Sequence, residues 1–378
     1  MIKSEIVADS INTQGDRLIS VLCTFPRIIL AEVNTHRMLS KNTSSSRAIP
    51  FKKMLEAVEN NPFIPIAWQK EHKGMQGSEY ITDENTIKAR RIQWLKARDN
   101  AIKSATELNF TNTGFTESEG VTKQLCNRLL EPFMWTTMLI TGSREGWDNF
   151  FHLRCPQYVV ENYNNQKVVF KSKKELINFY NDGSMYTVFP SSDLEWLQLN
   201  KGQAEIHMMA LAEAIYDSVN ESTPKQLQAG EWHVPFYDKI LPLVKEHYTK
   251  YQYEGDAQDM DRDIIKISTA MSARTSYTVV GDEKEIDYER LINLHNLLIE
   301  QDPPHSSPLE HCARAMDNKE YVCFAKGSLN AVEIDEPNKG EYVAYLKMWS
   351  DDSEAGWCGP YKGFMSYRYF IDNKLEVF

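Results

Sequence analysis

No apolar run of 18 residues occurs in the 378-residue chain, so nothing in it reads as a membrane-spanning helix. The opening Met1-Ile2-Lys3-Ser4-Glu5 has no signal-peptide apolar stretch, and no other export signal is visible. Gly-rich phosphate loops are missing too. There is neither GxGxxG nor GxxxxGK[ST], so a dinucleotide would have to bind without a Rossmann turn. GxSxG and HExxH are also absent. The six cysteines (Cys23, Cys126, Cys155, Cys312, Cys323, Cys358) show no CxxC and no zinc-like pairing with histidine. Such scatter suits a reducing compartment, and buried thiols without chemistry are its plain reading. Basic residues are outnumbered, 42 Lys and Arg against 53 Asp and Glu, giving a net charge of −11 that argues against a general nucleic-acid surface. A small anion remains possible, because a few arginines in one cleft override the global field.

Hydrophobic residues make up 42% and charged ones 25%, enough for a sizeable core, and the length allows two domains or one decorated domain. Arg17 to Phe25 is β-rich and stops at Pro26, strand behaviour. A short helix is expected over Arg27–Arg37. The small polar cluster Ser40–Arg47, closed by Pro50, reads either as an exposed loop or as a loop that wraps an anion. Residues 83–108 predict a solvated amphipathic helix with Ala89, Ile92 and Leu95 on its apolar side. Residues 121–141 should cross the core, and Trp147–Arg154 should be helical. The Lys-rich stretch 160–200 reads as an inserted hairpin with a helix and a turn at Asn181-Asp182-Gly183. Further helices are expected over Gln203–Val219, Ile264–Tyr277 and Tyr288–Gln301, with Trp232–Phe236 as a connector. Tyr321–Phe324 and Tyr342–Leu346 are strand-like. The fold class is α/β or α+β, one main domain over 1–378 with an insertion at 160–200.

Chemistry concentrates at arginines. Arg37, Arg47, Arg128 and Arg154 lie beside aromatic, apolar or small residues, and a guanidinium in such company needs a partner: a structural carboxylate, a phosphate or a uracil-like carbonyl. Together with His36, Asn42 and Ser45 they lean toward a ligand. His305 and His311 are too few for a metal site without a third ligand, so no metal is expected.

The segment Thr35-His36-Arg37-Met38-Leu39-Ser40-Lys41-Asn42-Thr43-Ser44-Ser45-Ser46-Arg47 resembles the RHRxxSxNExSxR motif of the flavin-dependent thymidylate synthases, matching at His36, Arg37, Ser40, Asn42, Ser45 and Arg47. His305-Ser306-Ser307-Pro308-Leu309-Glu310-His311 is similar to the family's H-x-[ST]-P-x-E-H segment, and Ala273-Arg274-Thr275-Ser276-Tyr277 to its ARVS[YF]. Asn149–Arg154 with Gln203-Ala204-Glu205-Ile206 is similar to its NFxxLR…AQxEI helix. Two motif charges are replaced, by Thr35 and Thr43. The ARVS-like and H-x-[ST]-P-x-E-H-like pieces follow the RHR-like motif here, whereas the usual order is the reverse. That is the order of a circular permutation, as in longer bacteriophage-borne members.

The resemblance implies a flavin-dependent thymidylate synthase-like fold. It also implies one-carbon transfer from methylenetetrahydrofolate to C5 of dUMP, with FAD carrying the hydride and NADPH as reductant. Arg154 would polarise the pyrimidine carbonyl; Glu32, Ser45, Arg47, Arg128 and Arg154 would hold the nucleotide. Glu32 stands where the family has a pyrimidine-contacting glutamine. His36, Arg37, Ser40, Asn42, Asn149, Ser276, His305, Ser307 and Glu310 would line the flavin. A homotetramer with shared sites is implied; the expected location is cytoplasmic, the host cytoplasm if the chain is phage-encoded, and composition gives no nucleic-acid or membrane partner. Cys155, in Arg154-Cys155-Pro156-Gln157, raises the alternative of a thiolate nucleophile, with nothing else of that class visible. Two further readings stand beside the first: a flavin- and folate-dependent hydroxymethylase of dUMP or dCMP, and a flavin- or nucleotide-binding protein without catalysis.

Overall fold

The computed structural model describes residues 2–74, 77–110, 120–161, 167–182, 189–251, 257–277, 286–324 and 355–377. Strands β1 (Lys3–Ile11) and β2 (Arg17–Pro26) form an antiparallel hairpin. Its turn is made locally: Asn12 Oδ1 accepts from the backbone N–H groups of Gln14 and Asp16 at 3.0 and 2.8 Å, and Gly15 takes the positive φ of 88°. Strand β3 (Ser40–Thr43) and β4 (Trp135–Ser143) extend the sheet beyond β2, and β7 (Lys225–Gln226) joins β1 in parallel, giving the order β3-β4-β2-β1-β7. Between them in sequence lies the hairpin β5 (Tyr158–Glu161) and β6 (Lys167–Phe170). Strands β8 (Trp232–His233), β9 (Ala313–Ala315) and β12 (Phe364–Ser366) form a small second sheet, and β10 (Trp357–Cys358) pairs β11 (Tyr361–Lys362).

The helices are α1 (Leu30–Asn34), α2 (Phe51–Asn60), α3 (Glu84–Asn109), α4 (Lys123–Leu130), α5 (Arg144–Arg154), α6 (Lys173–Asp182) and α7 (Asp193–Leu199). They continue with α8 (Ile206–Glu221), α9 (Tyr237–Lys250), α10 (Ala257–Arg274), α11 (Tyr288–Glu300), α12 (Asn318–Cys323) and α13 (Tyr367–Asp372). Helices and strands are mixed, as an α/β or α+β chain requires. No described helix is long and apolar enough to cross a membrane.

The main sheet is covered on both faces, which is why β2 and β4 read as nearly continuous apolar runs. Ile19, Val21, Cys23 and Phe25 alternate onto one face with Met138 and Ile140, packing against Trp147, Phe150 and Phe151 of α5 and Met208, Leu211 and Ile215 of α8. Leu22 and Leu139 join the other cluster, with Ile240 and Val244 of α9, Ile264 and Ile267 of α10 and Leu291 of α11. The 158–200 stretch carries its own cluster, Tyr158, Phe170, Leu176 and Trp196.

Four expectations need correction. Ser40–Thr43 is a paired strand, not loop, because β4 offers it a free edge. The solvated helix exists, but Ile92 is exposed; Trp94, Ala101, Ile102 and Ala105 make its packed side. The connector Trp232–Phe236 begins with strand β8. Tyr321–Phe324 is no strand: Asp317 and Glu320 form a reciprocal capping box that starts α12 and turns the apolar run helical. Gly183 and Tyr342–Leu346 lie outside the described residues.

Gly146 lies in the first turn of α5, where a Cβ would sit 3.0 Å from the Met38 carbonyl oxygen. In an open helix Gly→Ala gains up to about 1 kcal/mol. Here Gly146→Ala is expected to cost roughly 1–3 kcal/mol by overpacking, read as a lowered urea midpoint. A raised midpoint would show that the 36–40 segment does not press on the helix.

Candidate functional site

Strand β3 brings the motif residues to β4. Ser40, Lys41, Asn42 and Thr43 pair with Thr141, Ile140, Leu139 and Met138. Period-two alternation buries Ser40 and Asn42 and leaves Lys41 and Thr43 half-buried. Asn42 is a hub: its Oδ1 accepts from the hydroxyls of Ser276 at 3.1 Å and Ser307 at 3.4 Å, and its Nδ2 donates to the Ser272 carbonyl. The backbone N–H of Ser45 donates to the Ser276 carbonyl at 2.9 Å. Three segments more than 30 residues apart from one another in sequence therefore meet on one side chain.

A second contact closes the opposite end. Arg154, at the last position of α5, donates from Nε to His36 Nε2 at 2.9 Å and from Nη2 to Thr35 Oγ1 at 3.4 Å. Accepting from a guanidinium demands a lone pair, so the His36 ring is neutral with its proton on Nδ1. Burial, then the charges of Arg154 and Lys41, push its pKa down to about 4. The ring also packs edge-on against Phe150. Thr35 Oγ1 in turn donates to the Glu32 carbonyl at 2.6 Å, one turn back in α1. Glu32 Oε2 is buried with no hydrogen-bond partner.

Lys41, which the sequence reading passed over, donates to the carbonyls of His36 and Leu39, the latter at 2.9 Å. Burial lowers its pKa to about 8, opposed by the Glu310 carboxylate. Glu310 itself pairs with Arg368 of α13. The 44–47 loop is clamped from below by Glu131, whose Oε1 accepts from Ser46 Oγ at 2.6 Å and pairs with Arg27 at 3.2 Å and Arg128 at 3.6 Å. Arg27 also donates to the Ser44 carbonyl at 2.8 Å, and Asn127 Nδ2 donates to the carbonyls of Ser46 and Ile49.

Of the residues selected from sequence, His36 and Arg154 touch, as do Asn42, Ser276 and Ser307; Ser45 and Arg128 join through Ser276 and through Glu131 with Ser46. Glu310 meets this group through the field of Lys41. Arg37, Arg47, Asn149 and His305 are exposed and make no side-chain hydrogen bond or ion pair with a described residue, and Ser40 is buried. The clamp of Arg27, Glu131 and Ser46 escaped the sequence reading. Its only signal was the Glu131-Pro132 pair after Arg128. Cys155 is buried, and desolvation drives its thiol far above the ordinary range, against a thiolate role. A cavity of about 650 Å³ lies elsewhere, between Tyr158, Lys173, Ile177 and Leu197 of the 158–200 stretch and Ile206 and Glu213 of α8, and holds none of the selected residues.

No family model matches the chain, and no curated protein does. Among solved structures the chain is similar to a UMP/dUMP methylase, PolB, from Streptomyces cacaoi. In the complex with 5-Br dUMP the identity is 13%, the TM-score 0.30, and 48% of this chain and 67% of that one are covered. In the complex with 5-Br UMP the values are 13%, 0.32, 53% and 90%.

Because the folded His36 resists protonation to about 4 while an unfolded histidine takes its proton near 6.5, the ring opposes folding increasingly as pH falls between those values. His36→Gln keeps an acceptor for Arg154 and cannot titrate. The stability gap between the native chain and this variant is expected to narrow as pH drops from 6.5 to 4 in denaturant titrations. A constant gap would contradict the neutral, arginine-capped ring.

Proposed function

We propose that the chain is a flavin-dependent thymidylate synthase-like enzyme, moving a one-carbon unit from methylenetetrahydrofolate to C5 of dUMP. The observation that supports it is the convergence on Asn42 of Ser276 and Ser307, which are 234 and 265 positions away, each inside a different stretch of the resemblance. The donor set suits FAD: exposed Arg37 and the Asn42 hub with its serine hydroxyls offer a cation for a pyrophosphate and small polar groups for a flat ring edge. His36, Arg37, Ser40, Asn42, Asn149, Ser276, His305, Ser307 and Glu310 would hold it, and bound there it would supply the hydride that reduces the transferred carbon.

This chain's own residues do the rest. Arg47 and Arg128 are both exposed, Arg128 tied only by its Glu131 contact, and would hold the phosphate of the nucleotide. Arg154 is fixed by His36 and Thr35 through Nε and Nη2, leaving its other N–H groups to lie against a pyrimidine carbonyl as negative charge grows on the ring. The orphaned Glu32 Oε2 needs a donor, and a base N–H supplies one. This favours carrying dCMP beside dUMP into any assay, since the 4-amino group of cytosine is a donor that a carboxylate accepts. NADPH as reductant and a tetramer of this chain belong to the same proposal.

Purified protein is expected to be yellow, with flavin absorbance that bleaches on reduction, and to convert dUMP to dTMP. Mass analysis decides the product: one extra oxygen over dTMP would replace methylation by hydroxymethylation, and no turnover of dUMP or dCMP with folate under any reductant would leave only binding. Arg154→Ala is expected to lower turnover by about 100- to 1,000-fold, the scale of one lost oxyanion-type donor. Near-native kcat would remove Arg154 from the chemistry. Arg47→Ala should weaken nucleotide more than flavin in titrations, and equal losses would argue against its phosphate role.

A further inference from the structure

One cation holds the turn that carries His36. Lys41 donates from Nζ to the carbonyl of His36 and, at 2.9 Å, to the carbonyl of Leu39. The Leu39 N–H also reaches back to the His36 carbonyl, at 3.4 Å. The two peptide oxygens are the ends of one tight turn, and a single ammonium bridges them. That turn lies against α5 twice. Met38 and Leu39 come up to Gly146 in the first turn of the helix, and the His36 ring meets Arg154 at its end. Placing the turn therefore places the ring against the guanidinium.

Binding two carbonyls does not call for a charge. Asn127 does it for Ser46 and Ile49 with a neutral amide. Lys41 brings a half-buried ammonium to the same task, giving up hydration for two peptide oxygens. No described carboxylate forms an ion pair with it. Glu310 attracts it and is itself paired with Arg368. The charge acts on the His36 ring: Lys41 and Arg154 each disfavour an added proton there, on top of burial. A neutral ring is what the contact with Arg154 requires, because a protonated Nε2 has no lone pair to offer.

We infer that Lys41 is a positioning residue for Arg154, acting through His36: its two bonds set where the turn presents the ring, and its charge keeps the ring an acceptor. The charged and titratable groups that meet at this turn are Lys41 and His36 themselves, Arg154 of α5, and Glu310 ahead of β9 with Arg368 of α13 behind it. The placement of the ring is independent of any ligand. Its consequence for turnover rests on the proposed role of Arg154 at the pyrimidine carbonyl.

The test is a titration of His36, followed by nitrogen–proton correlation spectra of the full chain labelled at histidine nitrogens. Lys41→Gln and Lys41→Met remove the charge and are expected to raise the ring's pKa from about 4 to about 5. Lys41→Arg keeps the charge and is expected to stay close to the native value. Unmoved rings in the two neutral variants would overturn the inference. Equal shifts in all three would overturn it too, as the mark of a strap without electrostatics. A native His36 carrying its proton on Nε2 would do so without any variant. In turnover, Lys41→Met should lower kcat about 10- to 100-fold with little change in nucleotide KM, and Lys41→Arg should recover most of the loss. An unchanged kcat in Lys41→Met counts against Lys41 in the same way. Should the native chain turn nothing over, the proposed function falls and the ring titration alone decides for Lys41. Should Lys41→Met not fold, Lys41→Gln replaces it in both measurements.

Discussion

Four residue pairs carry the candidate site: Ser40–Thr43 laid against Met138–Thr141. Strand β4 is held on its other side by nine pairs to β2, so its edge is a fixed rail, and β3 is aligned on that rail by backbone hydrogen bonds. A one-residue slip would exchange the buried Ser40 and Asn42 for Lys41 and Thr43, pressing a lysine into the protein and turning the Asn42 amide to solvent. The Asn42 hub, the Ser40–Thr141 opposition and the approach of His36 to Arg154 all follow from that single register.

The site then divides into a neutral interior and a cationic lip. Inside, short polar side chains satisfy one another through Asn42, and His36 accepts from Arg154 instead of competing with it in charge. Had His36 been protonated, two cations would share a 2.9 Å contact. Keeping the ring neutral lets burial of the segment and fixation of the arginine coexist. The same economy appears at Glu131, where one carboxylate serves a serine hydroxyl and two guanidiniums and so ties α4 to the 44–47 loop. The half-buried Arg27, pushed toward neutrality by desolvation, is kept charged by that carboxylate.

Much of this was legible in the sequence, for identifiable reasons. The strand β2 and the helices α5, α8, α10 and α11 follow from apolar patterning, and Pro26 and Pro156 mark the ends of two of the elements; 121–141 was read only as crossing the core, without its division into α4 and β4. The segment itself was singled out by the resemblance at His36, Arg37, Ser40, Asn42, Ser45 and Arg47, and the structure adds that Asn42 meets Ser276 and Ser307. The segment's conformation was not legible: Ser-Lys-Asn-Thr has weak strand preference, and only the open edge of β4, set by residues almost 100 positions away, makes it a strand. The side of α3 that packs was misread because Ile92 follows the apolar spacing yet finds no neighbour, whereas Trp94 reaches Phe63 and Phe133. Long-range partners such as Arg368 for Glu310 leave no local trace at all.

Net charge resolves in the same local terms. A chain at −11 should repel an anion, yet Glu131 is paired with Arg27 and Arg128, and Glu310 with Arg368. Arg37 and Arg47 face solvent beside them with no ion pair to a described residue. The field that an approaching anion meets at short range is therefore set by guanidiniums, because beyond about 8 Å at physiological salt the remaining acidic surface is screened. Glu32 is the exception, a half-buried carboxylate with one oxygen unpaired. Its backbone carbonyl accepts from the Thr35 hydroxyl, which in turn accepts from Arg154, so the unpaired carboxylate belongs to the same short chain of contacts as that guanidinium.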